Sequence, residues 1–216
     1  MTAELDASNR SSHDLAEHSD ASARSSDTRS RLLTAALALI DEIGYDNVKV
    51  TEIAKRAGLT TGALYWNFSD RDELLAFALM SRLHAWSTVQ NARFDAFVSE
   101  AIRNGGSTPF LELLGGPVSE SARRDRIRVA HASLKYPRVL EAAEQYVAQQ
   151  RRVAESNIVR LQDAGVLSAE VSAEVTSFFV HVLVTGLQTH GVAASDMPDP
   201  AALVNFLARV GQLFRS

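Results

Sequence analysis

The sequence predicts an all-α protein, in which a small N-terminal three-helix region is joined by a connecting helix to a larger C-terminal helical domain. Apolar residues recur every three or four positions over most of the chain, which is the spacing of one helix face. From Asn91 onward there is no alternating apolar–polar run and no hairpin signal, the patterns typical of a β-sheet. Glycine and proline positions divide the chain into segments of helical length.

The 216-residue chain has a formal net charge of −4, 46% hydrophobic residues and no cysteine. A chain of this length can bury a sizeable core, and the absence of cysteine excludes disulfides and thiolate metal sites. No run approaches the ~18 apolar residues of a membrane span, and no apolar signal segment opens the chain. We therefore expect a cytoplasmic protein that makes no membrane contact.

The N-terminal segment differs from the next one in apolar content. Residues 1–27 carry almost no large apolar side chains and cannot offset the entropy of ordering, so we predict a disordered arm. The first helix is predicted from Thr28 to Ile43, and Gly44 ends it. Its predicted apolar stripe consists of Leu33, Ala36, Leu37, Ile40 and Ile43.

Two short helical patterns lie on either side of Gly58. Residues 51–57 place Ile53, Ala54 and Ala57 on one face, and Gly58 supplies the positive φ that ends a helix at low cost. The charges that point outward from this helix are Lys55 and Arg56.

After the turn, Thr60 can cap a new helix through its hydroxyl. The segment from Thr61 to Phe68 is helical again, with Leu64 and Phe68 pointing inward at i and i+4. Two short helices joined by a sharp turn of small residues are the signature of a helix-turn-helix.

The pattern A-x-x-A-G-L-T-x-G-x-L-Y-x-x-F, from Ala54 to Phe68, resembles the DNA-binding segment of the TetR family of bacterial transcriptional regulators. The resemblance implies a helix-turn-helix DNA-binding domain at residues 28–75 and a helical effector-binding and dimerisation domain at residues 76–216. It also implies the function of a ligand-responsive regulator, by default a homodimeric repressor. A small molecule would release it from an operator of double-stranded DNA with an imperfect palindrome.

The same resemblance implies DNA contacts by Thr60, Thr61, Gly62, Ala63, Tyr65, Trp66, Asn67 and Arg71. We also expect contacts by Lys49, Thr51 and Lys55. The Thr60 hydroxyl and the helix N-terminus suit a phosphate, and Asn67 can pair with adenine. Arg71 aligns with the family's phosphate-binding lysine, or it pairs with a neighbouring acid. Trp66 either contacts DNA or packs against the first helix.

The charge of this region is low for a DNA-binding surface. The segment from Thr28 to Arg82 has seven basic and seven acidic residues, whereas a basic footprint is usual. We therefore expect modest non-specific affinity and a shallow salt dependence. Lys49 stands three residues before Glu52, where the family commonly carries a capping Ser or Thr. Its side chain reaches a phosphate or remains solvated.

Helices are predicted along the rest of the chain as well. The fourth begins after Ser69, expected to cap it, with acidic residues that favour a helix N-terminus, and it runs to near Thr88. The later helices are predicted at 91–104, 109–114, 119–134, 138–164, 169–194 and 200–214.

The helix at 169–194 is apolar around most of its circumference, so it must be buried on more than one side. We expect it to form a four-helix bundle with the last helix and the same two helices of a second subunit. Complete burial within a monomer is the alternative. The predicted dimer interface consists of Val175, Phe178, Phe179, Val182, Leu183, Gly186, Leu187, Leu203, Phe206, Leu207 and Val210.

Three polar residues on otherwise apolar stripes, His131, Gln150 and Asn157, are candidates for effector binding. Alternatively, each is hydrogen-bonded within the core or partly exposed. His181 is expected to face water. The four arginines between Arg123 and Arg128 form either a solvated face or a patch for an anionic ligand.

No catalytic motif is present: there is no Gly-rich phosphate loop after a strand, no H-E-x-x-H and no G-x-S-x-G. We therefore predict that the protein is not an enzyme and has no cofactor or metal site. The alternative function is an effector-less helical module that binds another protein through its apolar last helices.

Overall fold

The computed structural model describes residues 25–105 and 120–190, together with the single positions 199, 202, 205, 206 and 209. All regular elements within these residues are helices, as predicted. None of the described helices has the length and apolar character needed to cross a membrane. The predictions for residues 1–24, for the helix at 109–114, and for Leu203, Leu207 and Val210 lie outside the described residues.

The helices are α1 (25–43), α2 (Val50–Ala57), α3 (Thr61–Asn67), α4 (Arg71–Arg103), α5 (Glu120–Ser133), α6 (Pro137–Asp163) and α7 (Ala173–His190). A short 3-10 turn, Tyr45–Asn47, lies between α1 and α2. The contacts divide the chain within α4, into an N-terminal unit that ends at Ala78 and a C-terminal unit that begins at Leu79.

The buried stripe of α1 lies one residue away from the predicted one. It consists of Leu32, Ala35, Ala36, Leu39 and Ile40. Leu33 and Leu37 are only half-buried, and Ile43 is exposed. Because Leu32 and Leu33 both begin a series at helical spacing, periodicity alone does not choose between the two faces.

The start of α4 is held by a reciprocal pair of side-chain caps. The Asp70 carboxylate accepts hydrogen bonds from the backbone N–H groups of Asp72 (2.9 Å) and Glu73 (3.0 Å). The buried Glu73 carboxylate accepts one from the Ser69 N–H at 2.6 Å. The arrangement resembles a capping box, except that Glu73 bonds the N–H of the residue before the cap. The cap is Asp70 rather than the predicted Ser69.

The connecting helix α4 is a single helix of 33 residues. We predicted two helices instead, one ending near Thr88 and the next beginning at Asn91. The intervening residues, Val89 and Gln90, are neither glycine nor proline. An ordinary residue of weak helix propensity lowers the stability of a helix by less than about 1 kcal/mol, so these two residues do not interrupt the helical hydrogen bonds.

The C-terminal unit packs α5, α6 and α7 with the remainder of α4. One buried cluster joins Val98 and Ala101 of α4 to Leu161 of α6. A second tie is the ion pair between Arg82 of α4 and the buried Asp125 of α5, at 2.6 Å. These contacts hold α4, α5 and α6 side by side around the cavity described below.

Candidate nucleic-acid interface and internal cavity

The turn between α2 and α3 has the predicted geometry. Gly58 has φ 65°, in the left-handed region, and the Leu59 N–H bonds back to the Ala54 carbonyl at 2.9 Å. Arg31 donates from Nη2 to the Ala57 carbonyl at 2.7 Å, which fixes the C-terminus of α2 against α1. This position favours glycine because of its positive φ, and a Cβ would in addition lie 3.1 Å from Arg31 Nη2, which would have to shift slightly.

The second helix of the motif, α3, is also capped and anchored as predicted. The Thr60 hydroxyl accepts a hydrogen bond from the Ala63 N–H at 3.2 Å, which satisfies one of the unpaired N–H groups of the first turn. Leu64 and Phe68 are buried. The opposite side of α3 therefore faces outward.

That outer face of α3 is formed by Thr61, Gly62, Tyr65 and Trp66, which are all exposed or half-exposed at the surface. The Trp66 side chain is 89% exposed. The ring does not pack against α1, so the predicted alternative of a structural role for Trp66 is excluded in the protein alone. An indole held in water at the centre of an exposed helix face is typical of a binding surface.

Ala63 and Asn67 lie at the edge of the outer face and are half-buried. The Asn67 side-chain amide donates from Nδ2 to the Ala63 carbonyl at 2.8 Å. Its predicted contact with adenine remains a prediction, but the amide would have to release this bond to pair with a base. Gly62 and Trp66 therefore lie at the centre of the candidate interface.

Arg71 is engaged inside the N-terminal unit. Its Nε donates to the Val48 carbonyl at 2.6 Å, and its Nη2 donates to the Tyr45 carbonyl. Its Nη1 pairs with Asp72 at 2.7 Å. In the protein alone, Arg71 therefore pairs with a neighbouring acid, which is one of the two predicted alternatives. Its two bonds to carbonyls connect the start of α4 to the segment between α1 and α2.

The other arginines of the N-terminal unit also make internal contacts. The Arg29 guanidinium lies over the rings of Phe68 (4.6 Å) and Phe77 (4.4 Å). Arg56 bonds to Glu42, with Nη1 2.6 Å from Oε2, and this hydrogen bond holds the pKa of Glu42 below its ordinary value. Among the described residues of this unit, the cations left for a phosphate are two exposed lysines on α2 and its cap.

Those two lysines are Lys49 and Lys55, and Thr51 is exposed beside them. Lys49 is the N-cap residue of α2 and makes no side-chain capping bond, so the predicted loss of the hydroxyl cap is confirmed. Its ammonium group is solvated in the protein alone.

A helix-turn-helix with a solvent-facing second helix, in a chain whose described elements are all helical, defines a DNA-binding transcriptional regulator. The model of the family "Bacterial regulatory proteins, tetR family" matches residues 32–77. The protein belongs to the TetR family, a family of DNA-binding regulators rather than of enzymes.

Curated relatives are similar to this chain, and a solved structure shares its fold. The HTH-type transcriptional regulator SrpR of Pseudomonas putida is 24% identical over 188 residues, which are 81% of this chain and 79% of SrpR. TtgW, an uncharacterized HTH-type transcriptional regulator also from Pseudomonas putida, is 38% identical over 106 residues, 43% of this chain and 75% of TtgW. The crystal structure of a TetR transcription regulator from Haloarcula marismortui ATCC 43049 shares the fold, with a TM-score of 0.58 and 16% identity over 88% of this chain and 100% of that one.

The C-terminal unit contains a cavity of about 790 Å³ between α4, α5, α6 and α7. This volume lies within the range of small-molecule sites. Most of its wall is apolar or aromatic, and the larger wall residues include Leu83, Trp86, Phe94, Phe97 and Tyr146.

Of the three predicted effector-binding residues, only Gln150 lines this cavity, where its Nε2 lies 3.4 Å from Ser87 Oγ. His131 does not line the cavity and is exposed on α5. Asn157 also lies outside the cavity wall, and it accepts a hydrogen bond from Arg160 at 2.8 Å. The cavity therefore gives no support to the effector-binding prediction for these two residues. Both residues follow the helical spacing, but neighbouring helices decide which side of the stripe meets the cavity.

Tyr146 and His181 also line the wall, although the sequence analysis did not place them in an effector site. Arg126 lines it as well, and the sequence analysis had assigned it either to a solvated face or to a patch for an anionic ligand. Burial, and to a lesser extent the cation of Arg151, lowers the pKa of His181, so the imidazole is neutral at pH 7. Burial also raises the pKa of the Tyr146 hydroxyl. The expectation that His181 faces water is corrected, because this side chain is half-buried on the cavity side of α7.

An exposed apolar face runs along α7. Val175, Phe178, Phe179 and Val182, at positions i, i+3, i+4 and i+7, are 45% to 58% exposed. Complete burial of the helix within a monomer was the alternative to a dimer interface, and it is excluded for these four side chains. Of the other predicted interface residues, Phe206 is exposed, Leu183 and Gly186 are half-buried, and the Leu187 side chain lies outside the description.

Proposed function

We propose that the protein is a homodimeric repressor that binds an imperfectly palindromic operator through α3 and leaves it when a small molecule fills the cavity. The observation that carries DNA binding is the outer face of α3, with Trp66 almost fully exposed at its centre. A helix face with this exposure, backed by buried Leu64 and Phe68, has the form of a recognition helix in a major groove.

The residues of the interface divide by their chemistry. The N-terminus of α3 directs its free N–H groups and its dipole at a phosphate, and Lys49 and Lys55 add two cations per subunit. On the outer face, the Thr61 hydroxyl can bond a base edge and the Tyr65 hydroxyl can bond the backbone. Trp66 supplies a large flat contact surface.

The apolar face of α7 supports the homodimer. Four large apolar side chains at helical spacing are costly to leave in water, and a second copy of the same face would cover them through a two-fold axis. Two recognition helices related by such an axis contact successive major grooves about 34–36 Å apart. A two-fold symmetric protein of this kind requires an operator with palindromic half-sites.

The cavity supports control by a small molecule. A ligand that binds better to a conformation whose two recognition helices no longer match the groove spacing shifts the population away from the operator-bound state. Occupation of an operator that overlaps a promoter excludes RNA polymerase, so release by the ligand would relieve repression.

The test is protection of the intergenic DNA beside the protein's own gene, followed by affinity measurements on the protected site. Trp66→Ala should weaken operator binding by about tenfold or more, whereas its thermal midpoint should stay unchanged because the ring makes little contact with the protein. Leu134→Ala is the matched control, since Leu134 is 86% exposed on the other unit. A wild-type protein that protects no DNA, or a Trp66→Ala variant that binds within about twofold of wild type, would contradict the proposal.

A further inference from the structure

The charges on the described wall of the cavity are all of one sign. The wall contains two arginines, Arg93 and Arg126, and the neutral imidazole of His181. None of the described residues that line it is Asp or Glu. A cationic ligand would therefore enter without a counter-charge, whereas an anionic one would meet guanidinium groups across a mostly apolar wall.

Arg126 is the residue best placed to bind an anion. Its guanidinium lies over the Trp86 ring at 4.7 Å, and its Nη1 is buried without a hydrogen-bond partner among the described residues. Burial lowers the pKa of this guanidinium, yet an arginine remains charged in proteins. Arg126 is half-buried, and a buried N–H donor without a partner is unfavourable until an acceptor reaches it.

The acid nearest to Arg126 in the sequence attracts it electrostatically but makes no hydrogen bond to it. The Asp125 carboxylate is buried and pairs with Arg82 at 2.6 Å. Asp125 is thus held by α4, and it does not bond to the guanidinium of Arg126, one residue further along α5. The positive charge at the cavity wall consequently remains available to a ligand.

The remainder of the cavity favours an apolar body with aromatic groups. Trp86, Phe94, Phe97 and Tyr146 provide ring surfaces. Polar residues interrupt this part of the wall at Ser87, Gln90, Asn91 and Gln150, and the Ser87 hydroxyl already donates to the His84 carbonyl at 2.9 Å. The wall therefore offers a site for negative charge at Arg126 and a large surface for hydrophobic contact.

We propose that the effector is an amphipathic organic anion: a carboxylate or sulfonate bound by Arg126, attached to an aromatic or aliphatic body that fills the cavity. This inference rests on the proposed function, in which the cavity holds the effector. The planar guanidinium forms two parallel hydrogen bonds to such an oxyanion. The apolar wall contributes the rest of the affinity and strengthens the ionic contact by excluding water.

The test compares two fluorescent probes with the same ring skeleton, 1-anilinonaphthalene-8-sulfonate and the uncharged N-phenyl-1-naphthylamine. Wild type should bind the sulfonate more tightly than the uncharged probe. Arg126→Met should weaken sulfonate binding by about tenfold to a hundredfold and change binding of the uncharged probe by less than about threefold. Arg126→Lys keeps the positive charge but cannot form two parallel hydrogen bonds, so it should give an intermediate loss of sulfonate affinity.

Two control variants locate the effect. Arg124→Met removes a charge from the same helix, where Arg124 pairs with Glu120 at 3.0 Å, and it should leave both affinities unchanged. Ala143→Trp fills part of the cavity and should weaken both probes. The inference is overturned if Arg126→Met affects both probes equally or neither, if wild type prefers the uncharged probe, or if Ala143→Trp leaves sulfonate binding intact.

A separate measurement distinguishes this inference from the proposed function. Titration of the sulfonate into the protein–operator complex reports release of DNA. If the sulfonate binds through Arg126 but operator binding persists, the preference for anions stands and control by the cavity is wrong. If operator DNA is released by the uncharged probe alone, control by the cavity stands and the anionic class is wrong.

Discussion

At the scale of single residues, the two glycines of the helix-turn-helix have different reasons for being glycine. Gly58 has φ 65° and lies against Arg31, so the protein itself requires it. Gly62 lies in the first turn of α3, and a Cβ there would meet only Thr60 Oγ1, at the ordinary contact distance of 3.6 Å. The protein alone therefore has room for a side chain at Gly62, and we propose that close approach of DNA is the reason for its absence.

Gly62→Ala should leave the protein as stable as wild type or raise its stability by up to about 1 kcal/mol, because alanine loses less backbone entropy in a helix. Its affinity for the operator should fall by about tenfold, since the methyl group meets the DNA backbone. Thermal unfolding and fluorescence anisotropy with a labelled operator measure the two effects. Gly58→Ala is the contrast, with a stability loss of about 1–2 kcal/mol. Wild-type operator affinity in Gly62→Ala would refute the close approach.

At the scale of elements, Arg71 links the start of α4 to the connection between α1 and α2. Its bonds to the carbonyls of Tyr45 and Val48 satisfy groups that no helix satisfies. Because α2 and α3 follow directly from this connection, the bonds also fix the direction from which the motif begins. Arg71 thus positions the DNA-binding helices, a role that differs measurably from a phosphate contact.

Arg71→Met should lower the free energy of unfolding by about 2 kcal/mol, through loss of hydrogen bonds to a charged donor, and weaken operator binding without changing its salt dependence. Lys55→Met should do the reverse: stability stays constant, and the slope of log K against log salt becomes shallower by about 1.8 for a dimer. Operator affinity measured across salt concentrations separates the two. If Arg71→Met makes the slope of log K against log salt shallower, the result supports a phosphate contact by Arg71 instead.

At the scale of the whole molecule, the proposed dimerisation through the apolar face of α7 would connect assembly to DNA binding. A single helix-turn-helix with two available lysines neutralises few phosphates, so we expect one subunit alone to bind weakly. Two subunits joined through α7 would double the contacts, and the second helix-turn-helix would bind at a high effective concentration.

The double variant Phe178→Glu/Val182→Glu should sediment as a monomer at micromolar concentration and lose operator affinity by more than about a hundredfold. Buried like charges facing each other across a two-fold axis oppose association strongly. Leu134→Glu, on an exposed side chain that follows α5, is the control and should sediment as wild type does. A wild-type monomer at micromolar concentration would show that the α7 face has another purpose.

The helix-turn-helix could be predicted residue by residue because its determinants are local. The φ of Gly58, the Thr60 cap and the inward pairs at i and i+3 or i+4 all follow from residues within one or two turns of each other. The same locality predicted the end of α1 at Gly44. It also made the TetR resemblance specific, because these positions occur in one short segment.

The sequence by itself thus determined the helical class, the DNA-binding motif and its family. Only the tertiary structure decided that Leu32 rather than Leu33 is buried. It also decided that Arg71 bonds to the connection between α1 and α2 and that His181 rather than His131 lines the cavity. The physical reason is the same for all three. The surroundings of a side chain on a helix depend on which other helix packs against it, and those partners lie tens of residues away in the chain.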